Sequence, residues 1–223
     1  MTACRAAYLT AGWRTQRFMA APAKLGRVSK PGSMRGSRPQ SSSLPQPRVA
    51  RCRLSRSFSI SGIERSLWLI RHGHAKSDQP FSRDFERPLN ERGLEDLGRT
   101  AAWLAGLALP KVTWLWSSSA ARTQATAQGL ATAWRCEPVA LDQLYLASRT
   151  TLLDTLQSTP PDIQHAALVG HNPGISDLAT LLGGHAVEFP TLGLLRLSVQ
   201  GDWCDLRPEG CTILCQMIPK TLP

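Results

Sequence analysis

Two histidines and two arginines each follow a short apolar run of the sequence. Arg71 and His72 come directly after one such run, His171 comes shortly after another, and Arg122 follows a third. The planar guanidinium of arginine grips two phosphoryl oxygens at once, and a neutral imidazole is a good nucleophile toward phosphorus. These residue types, repeated after three separate runs, therefore indicate phosphoryl transfer.

The apolar runs are the elements that must bring these four residues together. Residues 67–70, 112–116 and 166–169 are short, continuous runs, which are typical of strands buried on both faces. Helical patterns separate them, so strands alternate with helices along the chain. Because open α/β sheets bind ligands at the carboxyl ends of their strands, the residues should meet there. The sequence predicts a three-layer α/β/α sandwich with a mainly parallel central sheet.

Capping residues predict where two of the helices begin and end. Asn90 is placed to cap a helix whose apolar stripe starts at Leu94 and recurs at three- and four-residue spacing. Asn172 followed by Pro173 is typical of a cap and a first turn, and the glycine pair at 183–184 ends that helix.

The six cysteines are not spaced as a disulfide framework or as a common zinc module. Cys211 and Cys215 are predicted to lie on one face of a strand, as small buried hydrophobic residues. This usage favours a reducing compartment.

The net charge of +10 belongs to the amino-terminal part of the chain. Residues 1–65 carry a net charge of +12, and residues 66–223 carry −2. The first segment is rich in Arg, Ser, Pro and Gly and has too little apolar surface to offset the entropy of folding. We therefore predict a disordered basic extension over residues 1–65 and one catalytic domain over residues 66–223.

The composition of the extension leaves two interpretations open. An Arg-rich, Ser-rich segment with almost no acidic residues is typical of an organelle transit peptide, which predicts a chloroplast or mitochondrial location. A translation start set too far upstream is the alternative, and it predicts a cytoplasmic protein. We expect no membrane partner, because no apolar run approaches the ~20 residues that span a bilayer. We expect no nucleic-acid partner, because stacking aromatic residues are not interleaved with the basic ones.

The motifs around the four residues resemble the histidine phosphatase superfamily, most closely its SixA-type phosphohistidine phosphatase branch. The likeness covers about residues 67–218. It is carried by Leu69-Ile70-Arg71-His72-Gly73-His74-Ala75, Arg87-Pro88-Leu89-Asn90-Glu91-Arg92-Gly93, Ser118 with Arg122 and Thr126, and Val169-Gly170-His171-Asn172-Pro173-Gly174. The resemblance implies a compact, phosphoglycerate-mutase-like fold without a large lid.

The resemblance also implies a role for each site residue. His72 would be the nucleophile that forms a transient phosphohistidine, and Arg71, Arg122 and His171 would surround the phosphoryl group. Arg87 would contribute to the phosphate pocket. Neither a metal nor an organic cofactor is implied.

The sequence shows no convincing match to the general acid that larger members of the superfamily carry in an inserted lid. The corresponding region, residues 141–146, is short, and its nearest candidate, Asp142, is predicted to be a turn residue. Without an acid, loss of an alkoxide is slowed by roughly 10²–10⁴-fold, whereas imidazole leaves without help. This favours a phosphatase for a phosphohistidine-bearing protein, such as a histidine phosphotransfer domain.

Two alternatives remain open. The first is a small-molecule phosphomonoesterase of the same superfamily, with Asp142 or Asp154 as its acid. A mutase ranks below it, because a short connection leaves little chain to enclose a bisphosphate. The second is a non-catalytic phosphoprotein-binding module, although binding alone does not require His72.

Overall fold

A six-stranded, mostly parallel sheet is the centre of the fold. The computed structural model describes residues 64–77 and 83–222. The strands are β1 (Arg65–Arg71), β2 (Trp114–Ser118), β3 (Pro138–Leu141), β4 (His165–Gly170), β5 (Leu194–Val199) and β6 (Cys211–Met217). Their order in the sheet is β3-β2-β4-β1-β5-β6, with the first four parallel and β5 and β6 antiparallel.

Two pairs of helices cover the sheet, one pair on each face. The helices are α1 (Glu91–Gly106), α2 (Ala121–Trp134), α3 (Arg149–Gln157) and α4 (Gly174–Gly183). Alternate residues of β1 divide between two cores, with Trp68 and Ile70 facing α1 and α2 and Leu67 and Leu69 facing α3 and α4. This arrangement confirms the predicted three-layer α/β/α sandwich with a mainly parallel sheet.

The predicted amino-terminal extension lies almost wholly outside the described residues, which begin at Glu64. Arg65, its last residue, is the first residue of β1, where its guanidinium donates hydrogen bonds to the carbonyls of Gly201 and Pro161. The division at residue 65 otherwise stays a prediction. No helix in residues 64–77 or 83–222 is long and apolar enough to cross a membrane.

Strand β2 lies two residues further along the chain than the apolar run predicts. Ser117 and Ser118 are fully buried at its end, where hydropathy alone places the start of a loop. Each hydroxyl has a partner, because Ser117 Oγ donates to the carbonyl of Ser118 and Ser118 Oγ lies 3.0 Å from His171 Nε2. A hydrogen-bonded hydroxyl can be buried at little cost, so serine extends the strand.

Two details of the helix predictions are wrong. Leu94 is 56% exposed, and the buried stripe of α1 instead includes Gly93, Leu97 and Leu104. Asn172 does not cap α4, whose cap is Pro173. The Asn172 side chain is engaged elsewhere, since Nδ2 donates to the carbonyl of Phe189 and Oδ1 accepts from Ser176. The Asn90 cap and the Gly184 end of α4 are confirmed.

Cys211 and Cys215 lie on opposite faces of β6, not on the same face as predicted. Cys211 packs in the core beneath α3 and α4, and Cys215 packs in the core beneath α1 and α2. The register of β6 against β5 shifts between Arg196 and Leu197, which inserts an extra residue in β6. A bulge of this kind interrupts the alternation of faces, and nothing in the local sequence marks it.

Candidate active site

Three neighbouring strands end at the predicted site: Arg71 is the last residue of β1, His171 follows β4, and Arg122 lies in the first turn of α2, which follows β2. Strand β4 lies between β1 and β2, and Arg71 at the end of β1 pairs with Gly170 at the end of β4. The next residues, His72 and His171, are therefore adjacent, and their ring centroids are 5.0 Å apart. The main chain joins the two loops directly, because the amide of His72 donates to the carbonyl of Gly170.

His72 has the tautomer that a nucleophile needs. Its Nδ1 lies 2.8 Å from the carbonyl oxygen of Gly73. A carbonyl can only accept, so Nδ1 carries the hydrogen and Nε2 has a free lone pair. The side chain is buried, with 9% of the residue exposed, so the ring orientation is fixed.

His171 is held between β2 and α2. Its Nδ1 lies 3.4 Å from Arg122 Nη2, and its Nε2 lies 3.0 Å from Ser118 Oγ. Because a guanidinium only donates, Nδ1 is the acceptor and Nε2 carries the hydrogen. Ser118 is thus a positioning residue for His171.

Arg122 is buried in the first turn of α2 and tied to the loop of His72. The hydroxyl of Thr126 donates to the carbonyl of Arg122 and accepts from the amide of Gly73, at 2.7 and 3.1 Å. One threonine therefore connects the helix that carries the arginine to the loop that carries His72. This explains why Ser118, Arg122 and Thr126 occur together at these spacings.

Arg71 is fixed from the opposite side of the site. Its Nη1 donates to the carbonyl of Phe189 at 2.8 Å, and Asn172 donates to the same carbonyl. The buried Nε atoms of Arg71 and Arg122 have no hydrogen-bond partner among the residues that the structure describes. The Arg71 side chain is thus held by the chain segment that precedes β5.

Asp84 is one of two residues at the site that the sequence analysis missed, the other being Tyr145. It lies in a short 3-10 turn, Asp84–Glu86, between β1 and α1. Its carboxylate accepts from Arg122 Nη2 at 2.8 Å through Oδ2 and lies 2.7 Å from Arg87 Nη2 through Oδ1. The carbonyl of Asp84 accepts from Arg122 Nη1 as well, at 2.6 Å. Two of the three arginines predicted to bind phosphate, Arg87 and Arg122, thus contact one carboxylate.

Tyr145 forms the wall of the site beside Asp84. Its hydroxyl donates to Asp84 Oδ2 at 2.6 Å, and its ring meets the ring of His171 edge-on with centroids 5.5 Å apart. The loop of Tyr145 packs closely on α4, because a Cβ at Gly174 would overlap the carbonyl oxygen of Ala147. The only local signal for Asp84 was its i, i+3 spacing to Arg87, and none marked Tyr145.

The two acids considered from the sequence are not among these contacts. Asp142 is an exposed residue whose carbonyl accepts from the amide of Tyr145, as expected for a turn residue. Asp154 is exposed on α3. Neither side chain contacts the site residues among the hydrogen bonds and ion pairs of residues 64–77 and 83–222.

Burial keeps both histidines neutral. It lowers the pKa of His72 to about 4, against a hydrogen bond to Gly73 that raises it, and the charge of Arg122 lowers it further. Burial likewise lowers the pKa of His171 to about 3, and the neighbouring His72 adds to this effect. At neutral pH the nucleophilic lone pair on His72 Nε2 is therefore available.

Asp84 and Tyr145 form a pair with opposite shifts. The hydrogen bond from Tyr145, followed by that from Arg122, holds the pKa of the Asp84 carboxyl below its ordinary value. The Asp84 carboxylate in turn raises the pKa of the Tyr145 hydroxyl. At neutral pH the pair consists of a carboxylate and a neutral phenol.

The two histidine shifts predict how stability depends on pH. The unfolded chain has histidine pKa values near 6.5, above those of folded His72 and His171, so it binds more protons between about pH 6.5 and 4. The free energy of unfolding should therefore fall as pH is lowered through this window, by roughly 2 kcal/mol per histidine at pH 5. Urea denaturation at pH 7 and pH 5 measures this loss.

The double variant His72→Gln/His171→Gln is the comparison for this experiment. Carboxyl groups contribute little to the pH dependence of stability above pH 5, and the pKa of Asp84 is shifted further down. His74 and His165, whose pKa values burial also lowers, are kept in the variant and account for the part of the loss that remains. The variant should lose much less stability between pH 7 and pH 5 than the wild type. An equal loss in both proteins would assign the effect to other groups.

Comparison with known proteins shows which family this chain belongs to. Residues 67–145 match the family described as the histidine phosphatase superfamily (branch 1). An uncharacterized protein of Mycobacterium tuberculosis is 33% identical over 154 residues, which cover 63% of this chain and 94% of that relative. An uncharacterized chloroplastic protein of Arabidopsis thaliana is 29% identical over 154 residues, covering 64% of this chain and 70% of that protein.

A solved structure extends the likeness to the whole described domain. A protein of Nakamurella multipartitia assigned as the phosphohistidine phosphatase SixA superposes with a TM-score of 0.63 at 27% identity, over 70% of this chain and 96% of that one. The six-stranded sheet and the helices that cover it agree with this likeness. The chain belongs to the histidine phosphatase superfamily, and within it to the SixA-type branch.

Proposed function

We propose that the protein is a phosphohistidine phosphatase that removes phosphate from a phosphohistidine-bearing protein through a covalent intermediate on His72. The observation that carries this proposal is the state of Asp84. Among the described residues it is the carboxylate that contacts the site, and Tyr145 and Arg122 hold it ionised. An ionised carboxylate has no proton to give to an alkoxide, so no carboxyl group that contacts the site among residues 64–77 and 83–222 can act as a general acid for alkyl phosphate esters.

The first step is an in-line attack of His72 Nε2 on the substrate phosphorus. A bond forms between Nε2 and phosphorus as the phosphorus–nitrogen bond of the substrate breaks, and its electron pair stays on the leaving nitrogen. When the other ring nitrogen of the substrate carries a proton, the group leaves as neutral imidazole. In the second step water attacks the phosphorus of phospho-His72, which releases inorganic phosphate and restores the neutral ring.

Positive charge at the site stabilises the phosphoryl group during both steps. The guanidinium of Arg122 contacts His171, and the charges of Arg71 and Arg87 act on His72. Preorganised donors of this kind stabilise the charge on the equatorial oxygens of the transition state. We assign this role to Arg71, Arg87 and Arg122, and we propose that the neutral His171, whose N–H donates to Ser118, acts by positioning Nη2 of Arg122.

A panel of substrates tests this proposal. We expect kcat/KM for a phosphorylated histidine phosphotransfer domain to exceed that for sugar phosphates by at least about 100-fold, because only the sugar phosphates need a general acid. p-Nitrophenyl phosphate, whose leaving group needs no protonation, should be hydrolysed measurably.

The same panel distinguishes the alternatives. Efficient hydrolysis of sugar phosphates would overturn the proposal in favour of a small-molecule phosphomonoesterase. Binding of the phosphoprotein without turnover of any substrate would indicate a non-catalytic binding module.

A further inference from the structure

The carboxylate of Asp84 is fixed at the mouth of the site by three donors. Arg87 contacts Oδ1, whereas Arg122 and Tyr145 both contact Oδ2. A carboxylate offers about four lone-pair positions, two on each oxygen. Among the contacts of the described residues, Oδ2 is thus fully used, and Oδ1 has one position left for a further donor.

The exposure of the side chains shows which end of the site is buried and which end opens to solvent. His72 is 9% exposed and Arg122 is 2% exposed, whereas the Asp84 side chain is 38% exposed. The phosphoryl group must lie against the buried His72 and Arg122, and the leaving group must extend outward from it. The carboxylate therefore lies on the side from which the leaving group departs.

The charge of Asp84 acts differently on different leaving groups. The imidazole of a protonated phosphohistidine has an N–H that a carboxylate can accept in a charge-assisted hydrogen bond. An alkoxide or a phenolate departs with a negative charge, which a nearby carboxylate repels. One fixed charge thus favours the first class of substrate and disfavours the second.

We propose that Asp84 is the specificity-determining residue of the site, with its carboxylate accepting the N–H of the leaving imidazole and repelling leaving groups that depart as anions. This inference rests on the proposed function and names the residue that produces its preference. When the phosphoryl group takes the Arg122 donors, the contacts of Asp84 with Arg87 and Tyr145 keep the carboxylate at the mouth.

The isosteric variant Asp84→Asn tests the inference against two small substrates. Free phosphohistidine replaces the phosphoprotein, so that docking of a partner plays no part, and p-nitrophenyl phosphate is the substrate with an anionic leaving group. We expect kcat/KM for phosphohistidine to fall about 10-fold and kcat/KM for p-nitrophenyl phosphate to stay level or rise. Asp84→Glu keeps the negative charge. Its ratio of kcat/KM for phosphohistidine to kcat/KM for p-nitrophenyl phosphate should therefore be closer to the wild-type ratio than that of Asp84→Asn.

Glu86→Gln is the matched control, because it removes the same charge from an exposed residue of the same turn. In this variant the ratio of kcat/KM for phosphohistidine to kcat/KM for p-nitrophenyl phosphate should equal the wild-type ratio. Equal losses for both substrates in Asp84→Asn would mean that Asp84 only positions Arg122, and equal gains would mean that it only competes with phosphate for the arginines. Either result, or no change, overturns the inference. A wild type that does not prefer phosphohistidine over sugar phosphates would instead overturn the proposed function.

Discussion

Replacing His72 with alanine should abolish turnover, with a loss of at least about 10⁴-fold in kcat, because no other group can then form the phosphoenzyme. The free Nε2 lone pair of His72 lies among the charges of Arg122 and Arg71, and its loss leaves those charges in place. The variant should therefore still bind inorganic phosphate. Steady-state kinetics with a phosphohistidine substrate and calorimetric titration with phosphate measure the two properties.

The control for this variant is His185→Ala, which removes an exposed histidine beyond the end of α4. It should keep wild-type kinetics. Turnover by His72→Ala within 10-fold of the wild type would assign the nucleophile to another residue.

Replacing Arg122 with lysine should also greatly reduce activity, although the positive charge is kept. Arg122 presents both terminal nitrogens of its fork to the site, where Nη1 and Nη2 contact Asp84 and Nη2 contacts His171. A single ammonium group cannot grip two phosphoryl oxygens in this way. We expect kcat/KM to fall at least ~10-fold, which corresponds to roughly 1.4 kcal/mol of transition-state stabilisation.

The matched control is Arg207→Lys, because Arg207 is exposed in the loop before β6. That variant should be indistinguishable from the wild type. Wild-type kinetics for Arg122→Lys would place Arg122 outside the phosphoryl site.

The fold and the centre of the site were predictable because their signals are local in the sequence. Short apolar runs mark β1 and β4, and the residues that follow them, His72 and His171, meet because parallel neighbours end at one edge of the sheet. Neither inference needs knowledge of side-chain packing. The proximity of the two imidazoles follows from the topology alone.

The residues that were missed depend on packing between distant segments. Asp84 reaches Arg122 across 38 residues of sequence and Tyr145 across 61. No periodicity or capping pattern reports such a contact, so an aspartate in a polar loop cannot be told from a solvated one. Asp142 is a turn residue, as predicted, because that assignment needs only the local sequence.

Two features of the strands were also not predictable from the sequence: the burial of Ser117 and Ser118, and the bulge in β6. The sequence alone predicts a loop at a serine unless its hydrogen-bond partner is known, and for Ser118 that partner is His171, the residue after β4. The bulge that separates the faces of Cys211 and Cys215 arises from the pairing of two strands, not from one of them.

Trapping the phosphoenzyme tests the central claim most directly. The wild-type protein, mixed with a phosphotransfer domain labelled on its histidine and quenched in alkali within milliseconds, should carry one labelled phosphoryl group, which mass spectrometry can locate after digestion. The geometry predicts that the group is on Nε2 of His72, that it is labile in acid, and that it appears before free phosphate. Label on another residue, or phosphate released at the full rate with no labelled enzyme, would contradict the mechanism.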